Sequence, residues 1–203
     1  MLLYQFRKGT NPRRVIIYLS EKGLHVPRYE LDYAQGEHKS PEYLAINPSG
    51  RAPTLLTDDG TPINDSAAIV EYLEELYPQK PMMGADAASR AKVRALERLG
   101  TDLIVRSQLW LWNVTTAFPA KEAQPSRELA DKLYTYVDEI LEALEASIGE
   151  QAFLAGAAPT IADCTVFAIL QTARERFELP FANRYERLNA WYDNFRQRPS
   201  ADY

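Results

Sequence analysis

Cysteine is nearly absent from this chain: Cys164 is the only one in 203 residues. A lone thiol excludes an internal disulfide and fits a reducing compartment, so a cytoplasmic setting is expected. Long apolar runs are missing as well. None approaches the roughly 18 residues that a membrane-spanning helix needs, and Met1 leads straight into strand-like residues without a charged and then apolar leader. Neither a membrane partner nor a secretion signal is expected. Basic charge is not in excess either, with 23 Lys and Arg against 28 Asp and Glu and a net charge of −5. Residues 1–78 hold 8 basic and 11 acidic side chains and the remainder 15 and 17, so neither part is a basic module. Nucleic-acid binding and an anionic membrane surface are disfavoured. What is present, 46% hydrophobic and 25% charged residues, is ordinary for one large or two small globular domains.

The most informative stretch runs from Asn47 to Ser66. Asn47-Pro48-Ser49-Gly50 is turn chemistry, because Pro fixes φ and Gly supplies positive φ without steric cost. Ala52-Pro53 then leads into the apolar Thr54-Leu55-Leu56. A proline there cannot donate to a sheet ladder, so it marks an edge, a bulge or a cis bond. Asp59-Gly60 before Pro62-Ile63 predicts a hairpin. Asp65-Ser66 opens an apolar-periodic run through Ile69, Leu73 and Leu76 that stops at Pro78. The pair therefore sits at a helix N-terminus, where unpaired N–H groups and the positive end of the dipole favour a carboxylate. The whole stretch suits a small anionic ligand.

Read in order, Leu2 to Phe6 is a buried strand, and Asn11-Pro12 predicts a helix with Asn11 as its cap, carrying Val15, Ile16 and Leu19 and ending near Gly23. Val26 to Leu31 alternates as a second strand, and residues 36–44 form a loop with about one helical turn. With the hairpin and the Ser66 helix, this gives β-α-β-α-β-β-α within residues 1–78, an α/β thioredoxin-like order. Pro78-Gln79-Lys80-Pro81 and Gly84 predict a linker over 79–86. Residues 87–203 read as an all-α bundle: one helix from Ala87 to Phe118 before Pro119, another from Pro125 to Ile148, a third opening at Thr160 with a capping-box-like Thr160-Ile161-Ala162-Asp163, and a fourth over 183–196.

Asn-Pro-x-Gly-x-x-Pro, a strand-turn-strand and an acidic-Ser pair opening a helix resemble the glutathione-binding half of the cytosolic glutathione S-transferases. Gly156, Thr160 and Asp163 resemble that family's capping motif in its helical domain, so the resemblance covers nearly the whole chain. It implies a cis Pro53, an Ala52 main chain paired with the cysteinyl part of glutathione, and Asp65 and Ser66 holding the γ-glutamyl group. Arg51 either meets the glycine carboxylate or is a solvated surface residue, and Lys39 or His38 falls where the family often reaches the glycyl end.

The implied chemistry is activation of glutathione, as co-substrate, at its thiol. A free thiol has a pKa of about 8.5 and the thiolate is the nucleophile, so a donor beside the sulfur raises the reactive fraction. The family supplies that donor as Tyr, Ser or Cys near the end of the first strand. This chain departs from the pattern, with Phe6 at the tyrosine position, Gly9 at or next to the serine position, and no Cys nearby. Thr10 and Asn11 remain, and Asn there resembles the bacterial nu-class variants, for which disulfide reduction is the implied activity. Arg13 or Arg14 is a further candidate for the electrophile or the site charge. A pocket for a small hydrophobic electrophile or a disulfide is expected along the long helix after the linker, with Arg106, Gln108, Trp110, Trp112 and Phe118 as its candidates. Trp110 and Trp112 point to different faces, since residues two apart are about 200° apart on a helix. No metal is expected, and the resemblance implies a homodimer. The alternatives are a glutathione-dependent disulfide reductase, peroxidase, isomerase, dehalogenase or β-etherase, or a scaffold that kept the fold without the chemistry.

Overall fold

A computed structural model describes residues 1–114, 125–179 and 183–202. The chain divides into two compact units, one formed by Met1–Met82 together with the residues from Arg198 onward, the other by Met83–Gln197.

The first unit is built on a four-stranded sheet. Its strands are β1 (Leu2–Gln5), β2 (Arg28–Glu30), β3 (Thr54–Leu56) and β4 (Pro62–Asn64), in the order β2-β1-β3-β4. β1 and β2 are parallel, whereas β1–β3 and β3–β4 are antiparallel. β2 has the parallel edge that a helical crossover requires. That crossover is α1 (Thr10–Lys22), ended by Gly23 at φ 73°, whose N–H reaches back to the Leu19 and Ser20 carbonyls. A short helix, α2 (Pro41–Ile46), starts where the Ser40 hydroxyl accepts the Tyr43 N–H and Pro41 fits the first helical position. α3 (Ser66–Leu76) follows the hairpin. Leu3, Val15, Ile17, Leu55, Ile69 and Leu73 form the core, each fully buried or nearly so. Each contributes about 1.5–3 kcal/mol from leaving water.

Two features differ from the sequence reading. Asn11 is not the cap of α1: Gly9 holds the extended cap conformation, no side chain caps the helix, and Asn11 lies one residue inside it. Gly9 already accepts the Arg13 N–H on its carbonyl, so the first turn closes two residues earlier than Asn-Pro suggested. The second difference concerns the segments at either end of the helical unit. Glu74, buried on α3, accepts the Tyr18 hydroxyl at 2.9 Å, the Lys22 ammonium and the Met82 N–H at 3.0 Å, and Lys22 also donates to the Lys80 carbonyl at 3.0 Å. Residues 80–82 of the expected linker are therefore bound to α1 and α3. The end of the chain, expected in the helical domain, also joins the first unit. Arg198 makes a two-pronged pair with Glu21 at 2.6 and 2.7 Å, and Arg13 donates to the Ser200 carbonyl at 3.1 Å.

The second unit contains α4 (Ala87–Val114), α5 (Arg127–Ile148), α6 (Ile161–Gln171) and α7 (Glu186–Arg196), with a π-type turn at Thr172–Arg176. The predicted end of the first of these helices at Phe118 and Pro119 lies outside the described residues. Every residue of α6 is buried, so it is the core of this unit. Gly100 of α4 lets it approach, since a Cβ there would lie 3.0 Å from the methyls of Thr165 and Val166. Asp163 organises the N-terminus of α6. Its two oxygens accept the Thr160 N–H and hydroxyl, both at 2.8 Å, and the Leu154 N–H and Trp191 indole N–H, both at 2.9 Å.

Candidate active site

The sheet register gathers the chemistry of the first unit at one end. Tyr4 pairs with Thr54 and Thr54 with Asn64. The residues that follow β1, precede β3 and follow β4 therefore emerge side by side: Phe6 to Thr10, Ala52-Pro53, and Asp65-Ser66. The Ala52–Pro53 peptide is cis, one of the geometries the sequence allowed there.

Side chains hold the proline loop from beneath. Asn47 donates through Nδ2 to the Arg51 carbonyl at 2.7 Å and to Thr54 Oγ1 at 2.9 Å, while its Oδ1 accepts from both the N–H and the hydroxyl of Ser49. The Tyr43 hydroxyl donates to the same Arg51 carbonyl at 2.7 Å, and Thr54 donates to Asn64 at 2.9 Å. A network satisfied in this way is rigid. Gly50 sits at φ 60° beneath Lys39, where a Cβ would fall 2.6 Å from Nζ, and Lys39 donates to the Ser49 carbonyl at 3.1 Å. Lys39 and Arg51 are thus exposed cations beside one loop.

Asp65 has φ 78° and ψ 133°, a conformation that strains a residue with a Cβ and is concentrated at functional sites. Its carboxylate accepts the Ala67 N–H at 2.8 Å, and Ser66 is buried at the first position of α3. Across the sheet end, Thr10 is buried and Asn11 half-buried in the first turn of α1. Arg13 and Arg14 are both buried, and Arg13 is turned toward Ser200.

Tyr33 was not singled out in the sequence. Its ring is stacked between Phe6 at 4.3 Å and His38 at 3.9 Å, and its hydroxyl accepts the Ala52 N–H at 3.0 Å. Burial pushes its phenol above the ordinary value and the Ala52 N–H pulls it partly back. The group is therefore protonated at neutral pH. Nothing in the run Asp32-Tyr33-Ala34 marks it, since the contact depends on how the loop after β2 folds over the sheet end.

In the second unit, Arg106 lies over the Tyr136 ring at 5.3 Å and Trp110 packs against Tyr134 at 5.2 Å, both partners being on α5. Trp112 is 51% exposed, so the two indoles do face different ways. Phe118 lies outside the described residues. Among the described residues no cluster of His, Cys, Asp and Glu could hold a metal ion, and no helix is long and apolar enough to cross a membrane.

Two family models match, the glutathione S-transferase N-terminal domain over residues 10–76 and the glutathione S-transferase C-terminal domain over residues 124–194. The chain belongs to the glutathione S-transferase family. It is 34% identical to a maleylacetoacetate isomerase of Pseudomonas aeruginosa, over 100% of this chain and 97% of that protein. It is 29% identical to glutathione S-transferase 2 of Saccharomyces cerevisiae, over 98% and 87%. A crystal structure of a glutathione S-transferase domain-containing protein from Marinobacter aquaeolei superposes with a TM-score of 0.87 at 29% identity, covering all of both chains. The thioredoxin-like first unit and helical second unit of this transferase are thus the family's fold.

Proposed function

We propose that the first unit binds glutathione at the sheet end and that the protein activates its thiol for attack on a hydrophobic electrophile. The observation that carries this reading is the register that sets Ala52-Pro53 between the openings of α1 and α3. The Ala52 main chain takes the cysteinyl peptide. Asp65 takes the γ-glutamyl ammonium, and Ser66 with the α3 N-terminus takes its carboxylate. Lys39 and Arg51, the exposed cations at the proline loop, take the glycyl carboxylate. The sulfur then lies toward the first turn of α1. There the Thr10 hydroxyl or the Asn11 amide donates to the thiolate, and the helix dipole lowers the sulfur pKa. Of the helical-unit candidates Arg106, Trp110 and Trp112, one indole rather than both contacts the second substrate, since the two face different ways. The enzyme acts as a cytoplasmic homodimer, in keeping with its lone buried cysteine and with the exposed Val105, Leu109 and Trp112 that follow one another along α4.

Isomerisation is a second reading, favoured by the full-length similarity to an isomerase. Both reactions begin with the same thiolate. Addition to a conjugated double bond, rotation about the resulting single bond and expulsion of the thiolate return glutathione unchanged, whereas conjugation consumes it.

The test pairs binding with turnover. Calorimetry with glutathione on wild type and Ser66→Ala should show affinity lost in the variant, and unchanged affinity would remove the site assignment. Thr10→Ala and Asn11→Ala, followed by thiolate ultraviolet absorbance in the bound complex, identify the donor as the one whose loss raises the sulfur pKa. Assays with a chloro-aromatic, a disulfide and a maleyl substrate then separate conjugation, reduction and isomerisation.

A further inference from the structure

A polar cavity lies in the first unit, on the β2 side of β1, whereas the proline loop and Asp65 lie on the β3–β4 side. It is an open cleft of about 360 Å³, within the range of small-molecule sites. Its walls bring together Gln5 of β1, Arg7, Arg13 of α1, Arg28 of β2, and Ser200 and Asp202 of the returning C-terminal segment. Three arginines and Asp202 thus line one cavity. Two further acids bond to lining residues: Glu30, engaged by the Gln5 amide at 3.0 Å and by the Arg7 N–H at 2.7 Å, and Glu21, which accepts from the Ser200 hydroxyl and from Arg198.

Gln5 shows what else a ligand must carry. It is 6% exposed, and its donation from Nε2 to Glu30 fixes the amide orientation, because the reversed amide would set an oxygen against a carboxylate. The other atom, Oε1, is buried without a hydrogen-bond partner in this structure. A buried acceptor left unmet is costly, so native proteins rarely keep one without a water or ligand to supply the donor. Besides Asp202 and Ser200, the walls therefore offer cationic donors and a buried acceptor whose hydrogen bond is unmet, which suits an anion that carries its own hydroxyl. Inorganic phosphate always keeps at least one O–H at neutral pH, and a small hydroxylated phosphate ester carries others. Sulfate carries none.

We propose that this cavity is a phosphate-anion site, in which Arg7, Arg13 and Arg28 hold the anion and Gln5 Oε1 accepts a hydroxyl of the same ligand. The proposal is independent of the glutathione reading, because none of the residues assigned to glutathione lines the cavity, and Arg7 is the one residue of the run after β1 that does.

The experiment is calorimetry on the full chain saturated with glutathione, titrated with inorganic phosphate, glycerol 3-phosphate and sulfate. Phosphate or the ester should bind at least tenfold more tightly than sulfate. A preference for phosphate assigns the free anion and a preference for glycerol 3-phosphate assigns the ester. Arg28→Gln, on an exposed edge strand outside the proposed catalytic machinery, should weaken binding about tenfold while leaving glutathione turnover unchanged. Gln5→Leu should erase the preference over sulfate, and a melting curve checks that this core variant is folded. Equal binding of sulfate and phosphate to the wild type, or phosphate binding indifferent to Arg28→Gln, overturns the assignment. So does no binding at millimolar phosphate. If glutathione binding fails but phosphate binding persists, only the reading of the sheet end is lost.

Discussion

The Tyr33 hydroxyl occupies the N–H of Ala52, at 3.0 Å. On the proposed reading, that N–H also serves the cysteinyl carbonyl of glutathione, and one N–H cannot serve both partners well. Tyr33→Phe keeps the stack on Phe6 and His38 and removes the competitor. Glutathione should bind up to about tenfold more tightly, the equivalent of one hydrogen bond of 0.5–1.5 kcal/mol. Titration calorimetry reads the change, and weaker binding would show that the hydroxyl contacts the ligand instead of competing with it.

Asp65 has two separable duties, a helix cap and a charge. Asp65→Asn keeps an oxygen for the Ala67 N–H, so stability should fall by no more than a few tenths of a kcal/mol, whereas Asp65→Ala should cost about 1 kcal/mol. On the proposed reading, both variants lose the anion that meets the γ-glutamyl ammonium. Each should therefore weaken glutathione binding by roughly tenfold or more, as loss of a charged hydrogen bond does. Chemical denaturation beside calorimetry distinguishes the two duties.

Asp163 is fully buried and accepts from the Thr160, Leu154 and Trp191 donors. Asp163→Asn presents an NH₂ where one oxygen stood, leaving buried donors facing a donor. The loss should be about 3 kcal/mol or more, read as a fall in the denaturation midpoint, with Trp191 fluorescence reporting the lost indole contact. Thr160→Ala should cost less, since only one of those donors is removed.

Acid should release the C-terminal segment. Burial alone would raise the Glu21 carboxyl, but the hydrogen bonds from Arg198 and Ser200 and the Arg198 charge outweigh it and hold it below the ordinary value. A carboxyl lowered on folding adds stability that is complete above its unfolded value, near 4.3. That stability is lost as pH falls through the lower, folded value. Hydrogen exchange at residues 198–202 should accelerate below about pH 4. Glu21→Gln should show the faster exchange already at neutral pH and lose the pH step.

Much of this was legible in the sequence because it is local. Asn47-Pro48-Ser49-Gly50, Asp59-Gly60, Asp65-Ser66 and Thr160 to Asp163 carry their turn and cap chemistry within a few residues, and the structure builds turns and helix starts there. Asn11 misled because Asn-Pro imitates a cap, while the chain closed its first turn on Gly9 instead. Tyr33, Tyr43 and Gln5 were invisible for another reason. Each matters through a partner brought near by the sheet, and no spacing along the chain encodes that. Arg13, one of the two candidates for the electrophile or the site charge, donates on the helix to the Ser200 carbonyl of the C-terminal segment, a contact that its place after Asn11 does not reveal.

That returning segment also bears on how the protein is made. Glu21 and Arg13, near the start of the chain, find Arg198 and Ser200 only after the helical unit has been synthesised. The thioredoxin-like unit therefore cannot reach its final form until residues 198–200 have been made. A fragment cut before Arg198, however intact its sheet, would leave the wall of the phosphate cavity open to solvent.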